Sequence, residues 1–90
     1  MKTNLDKEFD KAFDLLSELK ESLPQDVMLK LYAYYKQATS GDIFSFNSES
    51  DVRNGFKFNA WMQLNGMSQE EAKQEYIILA KEILTTNFNR

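Results

Sequence analysis

Cysteine and histidine are both absent from the 90-residue chain. Without them there is no thiolate nucleophile, no imidazole base and no soft ligand set for zinc, so catalytic triads built on those residues, zinc hydrolysis and disulfide staples are all excluded. Carboxylates remain as ligands for hard cations. Asp42, Glu49 and Asp51 nevertheless lack the spacing and the final bidentate Glu of a calcium-binding loop, and no metal is expected. Positive charge is also scarce: 11 Lys and Arg face 14 Asp and Glu, giving a net charge of -3 and a pI near 4.9. A field of that sign argues against binding to DNA or RNA through general electrostatics, so any polyanionic ligand must be held by a local cluster. No apolar run approaches the roughly 20 residues that span a bilayer, and the charged stretch from Met1 to Lys11 does not read as a signal peptide. A chain without cysteine is compatible with a reducing compartment, and the cytosol is the expected location.

What is present suffices for one soluble domain spanning residues 1–90. The sequence is 42% hydrophobic, 13% aromatic and 28% charged, enough apolar surface to fold and too balanced to be disordered. At this length a single core is marginal, and packing alone must hold it.

Leu5, Phe9, Ala12, Phe13, Leu16 and Leu19 recur at spacings of three and four, which predicts an amphipathic helix from about Asn4 to Lys20. Ser22 with Gln25, and Pro24 between them, reads as the start of a second helix running to about Thr39. Its apolar set is broad: Val27, Met28, Leu31, Tyr32, Tyr35 and Ala38 line one side, and Leu29, Ala33 and Tyr34 spill onto another. Gly41 stops it, and Gly41 to Ser50 lacks helical period and reads as a long loop carrying Phe44 and Phe46. Asp51 is placed to cap a short third helix from about Val52 to Leu64, ended by Gly66. Ser68 and Glu71 then form a capping box for a fourth helix with Ala72, Tyr76, Leu79, Ala80 and Ile83 on its stripe, reaching about Thr86. The reading is all-α, a four-helix bundle without strands.

Tyr32, Tyr35 and Lys36 fall at i, i+3 and i+4, so two phenols and one ammonium share a helix face. Core aromatics with solvated hydroxyls are the commoner fate of such tyrosines. Stacking of a phenol on a planar base, with the ammonium and a hydroxyl on a phosphate, is the functional alternative, and periodicity does not choose between them. Arg53 and Lys57 lie one turn apart on the third helix and add positive charge there. Tyr76 reads more readily as core than as ligand contact. A broad apolar second helix and the loop phenylalanines also suit a module that docks a partner helix. An enzyme using Glu, Asp, Lys or Tyr as acid or base is a third class, disfavoured by the missing His and Cys.

The run from Met28 to Asp42, with Tyr34-Tyr35-Lys36-Gln37-Ala38-Thr39-Ser40-Gly41-Asp42 at its centre, closely resembles the central helix of the acyl-CoA-binding protein family. Lys57-Phe58-Asn59-Ala60-Trp61 is similar to that family's Lys-Trp-Asp-Ala-Trp segment, Gly66-Met67-Ser68 through Tyr76-Ile77 to its entry into the fourth helix, and Phe9-Asp10-Lys11-Ala12 to its first helix. The resemblance implies an up-down-down-up bundle that binds medium- to long-chain fatty acyl-CoA esters with high affinity in the cytosol. It further implies a monomeric carrier and pool former that turns nothing over, needs no cofactor and serves acyl-CoA-using enzymes. By the same resemblance Tyr35 stacks on the adenine, Tyr32, Lys36 and Lys57 serve the 3′-phosphate, and Tyr76 lies against the nucleotide. Phe9, Phe13, Met28, Leu29 and Phe58 fall at or beside positions lining the acyl channel or ligand cleft. The chain departs from the family where Phe13 stands for a frequent Ala, Phe58 for Trp and Asn59 for Asp, and where Ser17 and Gly55 replace the lysines of some members.

Overall fold

Helix is the regular structure that local capping chemistry selects throughout the computed structural model, which describes residues 2–19, 22–42 and 55–87. The helices are α1 (Asn4–Ser17), α2 (Gln25–Ser40), α3 (Gly55–Met62) and α4 (Gln69–Asn87), an all-α up-down-down-up bundle with no strand among the described residues. None of these helices is long and apolar enough to cross a membrane. The loop from Ile43 onward, with Phe44 and Phe46, and the expected Asp51 cap with Arg53 lie outside the described residues.

Thr3 starts α1 with a capping box: its hydroxyl accepts the Asp6 N–H at 3.1 Å while the Asp6 carboxylate accepts the Thr3 N–H at 3.3 Å. The helix ends at Ser17, short of Lys20. Glu18 and Leu19 donate to the carbonyls of Leu15 and Leu16 three residues back, and this tighter turn closes the helix. The start of α2 also differs from expectation. A cap at Ser22 would force Leu23 into helical geometry directly before a proline, where the ring disfavours it. Pro24 itself is the N-cap, at φ -56° and ψ 149°, with no side-chain capping bond. The third helix, α3, is described from Gly55, the expected residues 52–54 lying outside the described ones, and it ends at Met62 before the expected Leu64 because Leu64 and Asn65 bond three residues back to Trp61 and Met62. Ser68 caps α4 as its spacing predicts, accepting the Glu71 N–H at 2.9 Å.

α4 is the central element, packing against both α1 and α2, while α3 packs against α2. The buried hydrophobic residues are Phe9, Ala12, Ala33, Ala38, Ala72, Tyr76, Ile77, Ala80 and Ile83. Five of these nine are alanines, and such short side chains let the helix backbones approach closely. Leu79 is only half-buried, and Phe13, on the expected inward stripe of α1, is 44% exposed. The α1 and α2 backbones do not approach one another, and aromatic side chains bridge the space between them. Lys73 of α4 pairs with Asp6 of α1 at 2.5 Å. That ammonium and the Thr3 N–H hold the Asp6 carboxyl below its ordinary range.

The end of α2 is fixed by one fully buried polar side chain, Gln37. Its amide nitrogen donates to Asp42 Oδ1 at 2.7 Å and to the Met67 carbonyl at 2.8 Å, while its oxygen accepts Trp61 Nε1 at 3.1 Å. The same indole N–H reaches the Gly41 carbonyl at 3.0 Å, and Asp42 Oδ1 also accepts the Gly66 N–H at 2.8 Å. The bonds that Asp42 accepts from the Gly66 N–H and then from the Gln37 amide lower its carboxyl from the ordinary pKa. Both glycines sit at positive φ, 80° at Gly41 and 99° at Gly66, which a side chain disfavours.

Gln37→Leu keeps the bulk and removes every bond of the amide. Loss of the partners of buried groups should cost about 1–3 kcal/mol, with Tm falling by about 4–8 °C per kcal/mol for a domain of this size. Thermal unfolding followed by circular dichroism measures it, and an unchanged Tm refutes the role given to Gln37.

Candidate functional site

Four aromatic rings fill the space between α1, α2 and α4. Tyr35 lies 5.8 Å from Phe9 in a stacked arrangement, 5.3 Å from Phe13 and 6.1 Å from Tyr76, and Phe9 meets Tyr76 at 4.9 Å. Such offset and tilted contacts are the favourable ones for ring quadrupoles. Phe9 and Tyr76 are buried, Tyr35 is half-buried and Phe13 is exposed, so the group runs from the core outward to solvent. Burial pushes the Tyr76 phenol up to about 12, with nearby Tyr35 adding to the effect. Burial also raises the Tyr34 phenol, with a smaller contribution from Glu75 of α4.

Two hollows open along the seam between α1 and α2. One, of about 220 Å³, has nearly all-apolar walls, with Leu16, Leu23, Met28 and Leu31 among them and Tyr76 at its back. The other, of about 360 Å³, is lined by Phe9, Phe13 and Tyr35 together with Asp10, Asp14 and Thr39. Asp10 is ion-paired with Lys2, and this pairing raises the Lys2 pKa.

Cations gather on the other flank of α2, toward α3. Lys36 Nζ lies 4.9 Å above the Trp61 ring and Lys57 Nζ lies 5.4 Å above the Tyr32 ring. Tyr32 and Lys36 are one turn apart on α2, and Lys57 and Trp61 are one turn apart on α3. The two helices therefore face each other with an ammonium and a ring apiece. Helical period alone had placed Tyr32, Tyr35 and Lys36 together, whereas the neighbouring helices divide them: Tyr35 turns to α1 and α4, Tyr32 and Lys36 to α3.

The sequence-derived site residues thus fall into two adjoining groups. Phe9, Phe13, Met28, Tyr35 and Tyr76 border the hollows, and Tyr32, Lys36 and Lys57 form the cationic flank. Leu29 and Phe58 are half-buried and line neither hollow. Most of the breadth of the apolar set on α2 is accounted for by contacts inside the molecule, with α3 and α4 on two sides and the rings of α1 on a third, while Met28 stays 55% exposed at the apolar hollow. Sequence reasoning missed Trp61 as the platform for Lys36 and Gln37 as the anchor of that platform. A glutamine one turn after Ala33 and beside Ala38, within an apolar stripe, was the available signal, since such a position must be both buried and hydrogen-bonded.

A family model described as Acyl CoA binding protein matches residues 6–80. The chain is 36% identical over 81 residues to the Acyl-CoA-binding protein of Saccharomyces cerevisiae, covering 84% of this chain and 88% of that protein. It is 36% identical over 86 residues to an Acyl-CoA-binding protein homolog of Manduca sexta, covering 92% and 94%. The crystal structure of Oryza sativa Acyl-CoA-Binding Protein 2 superposes with a TM-score of 0.82 at 30% identity, covering 92% of this chain and 91% of that one.

The raised Tyr76 phenol has a definite consequence at alkaline pH. The folded state favours the neutral phenol, so the stabilisation is complete below the ordinary value of 10.0 and is lost as pH climbs from there through about 12. Tyr76→Phe keeps the ring and removes that titration. Urea unfolding at a series of pH values should show the variant losing less stability than the wild type between pH 10 and 12, and parallel curves would contradict the assignment.

Proposed function

The chain belongs to the acyl-CoA-binding protein family, and we propose that it binds medium- to long-chain fatty acyl-CoA esters and carries them, as a cytoplasmic monomer, without turning them over. The observation that carries this reading is the junction on α2 of a cationic, aromatic flank with an apolar hollow. Met28 and Leu31 line the hollow, and Tyr32, Tyr35 and Lys36 follow within the next two turns. A ligand with a charged, planar head and a hydrocarbon tail matches that junction.

Charge decides where the head goes. Asp10 and Asp14 border the aromatic hollow and would repel a phosphate there. The 3′-phosphate of coenzyme A instead meets Lys36 and Lys57, with the Tyr32 hydroxyl beside them, and the adenine stacks on Tyr35. Tyr76 is only 4% exposed and contributes from beneath by supporting the Tyr35 ring. Without ligand, both ammonium groups rest on rings, an arrangement worth about 0.5–1 kcal/mol each at exposed sites. A hydrogen bond to a charged group contributes about 1.5–3 kcal/mol. The exchange of ring for phosphate is therefore favourable, and the aromatic faces hold the lysines in place until a phosphate arrives.

The tail lies along the apolar hollow, against Leu16, Leu23, Met28 and Leu31. Each buried methylene contributes about 0.8 kcal/mol, so four add about 3 kcal/mol, or roughly a hundredfold in affinity before the cost of ordering the chain. Calorimetric titration with acyl-CoAs of graded length should show affinity rising with length until the hollow is filled. Equal affinity for short and long chains would remove the hollow from the account.

Lys36→Glu tests the head. It should sharply weaken acyl-CoA binding while changing binding of the same acyl group on dephospho-CoA, which lacks the 3′-phosphate, much less. Wild-type affinity should also fall with added salt, because the contact is partly solvated. Equal losses for the two ligands, with an intact helical spectrum, would show that Lys36 does not contact the 3′-phosphate.

A further inference from the structure

Phe13 is the one described residue that lines both hollows of the α1–α2 seam. Its ring leans on Tyr35 at 5.3 Å and remains 44% exposed, so it stands in the seam as a wall between the two spaces and is not buried in the core. The spaces differ in chemistry on either side of that wall. Leu16, Leu23, Met28 and Leu31 offer apolar surface on one side, whereas Asp10, Asp14 and Thr39 accompany the rings on the other. A methylene chain is stabilised on the first side. On the second it would strip water from the Asp14 carboxylate and from the Asp10–Lys2 pair, which is unfavourable.

We propose that Phe13 is a specificity-determining residue, an end-stop that closes the apolar hollow and sets the longest acyl chain the protein accommodates. This rests on the acyl-CoA reading above and adds to it the part of the ligand that is measured by length. A chain that grows inside the apolar hollow gains affinity with each methylene until its end meets the Phe13 ring. Further methylenes must then bend into solvent, since the space beyond the ring is bordered by Asp10 and Asp14 and by the Tyr35 face given to the adenine, and they add nothing.

The experiment is calorimetric titration of wild type, Phe13→Ala, Phe13→Leu and Phe13→Trp with one series of saturated acyl-CoAs, each variant first checked for an intact helical spectrum. In the wild type, affinity should rise by up to about fourfold per methylene and then level off. In Phe13→Ala the plateau should move to longer chains, with a chain two methylenes beyond the wild-type limit gaining roughly tenfold relative to that limit. Phe13→Leu should lie between, and Phe13→Trp should level off at a shorter chain. The exposure of Phe13 makes folding of at least the leucine variant secure, so the comparison does not rest on alanine alone. A plateau at the same length in all four proteins overturns the proposal, whether or not affinity shifts uniformly, because a uniform shift places Phe13 against the common part of the ligand. A wild-type protein that binds no acyl-CoA of any length overturns the acyl-CoA reading itself, and this proposal with it.

Discussion

The amide of Gln37 is the constraint on which the ordering of α2, α3 and the α4 entry depends. One side chain joins three segments: Asp42 just after α2, the indole of Trp61 on α3, and the carbonyl of Met67 ahead of α4. Both amide hydrogens and the amide oxygen are engaged, so the group is buried without an unsatisfied atom. The indole N–H is shared between the Gln37 amide oxygen and the Gly41 carbonyl, both at the end of α2. Because an indole N–H has a single direction, these two acceptors orient the ring, and this orientation presents the Trp61 face to Lys36. Packing sets the distance between the helices, and hydrogen bonding sets their rotation.

That fixed rotation gives α2 two working flanks. One turns to α1 and α4 and carries apolar and aromatic surface, while the other turns to α3 and carries charge held against rings. A protein with a net charge of -3 thereby keeps a positive edge beside an apolar recess, and the helix between them connects the two without any loop that would have to be ordered first. Coulombic attraction at that edge is screened over about 10 Å at ordinary salt, so it acts on a phosphate already close by.

Period and punctuation in the sequence were enough for the helices, because capping is local chemistry. Gly41, Gly66 and Ser68 mark their boundaries through backbone angles or a single hydroxyl, and each acts where its spacing places it. The start of α2 needed a second local rule, the restriction that Pro24 imposes on Leu23, which outweighs the apparent pairing of Ser22 with Gln25. The site was legible as a list of side chains and illegible as an arrangement. Tyr35 and Lys36 are neighbours in sequence and on the helix, yet one meets Phe9 and the other Trp61, and which helix stands on which flank is a property of the whole fold. Phe13 shows the same limit: its place on the α1 stripe suggested burial, and the separation of α1 from α2 leaves it in the open.

The order of packing, with α1 on α4 and not on α2, governs how the chain can assemble. Helices adjacent in sequence usually find each other first, since closing a short connection costs little entropy. Here the first helix has no backbone partner among the described residues until the last one has formed, and Asp6 waits for Lys73 across most of the chain. During synthesis α1 therefore leaves the ribosome with only ring contacts to α2 within reach, and its helix partner becomes available only when the turns of α4 around Lys73 and Tyr76 have formed. The contacts that hold α1 sit on the first half of α4, where Lys73 meets Asp6 and Tyr76 meets Phe9, so those turns of one helix secure another that lies more than sixty residues earlier in the chain.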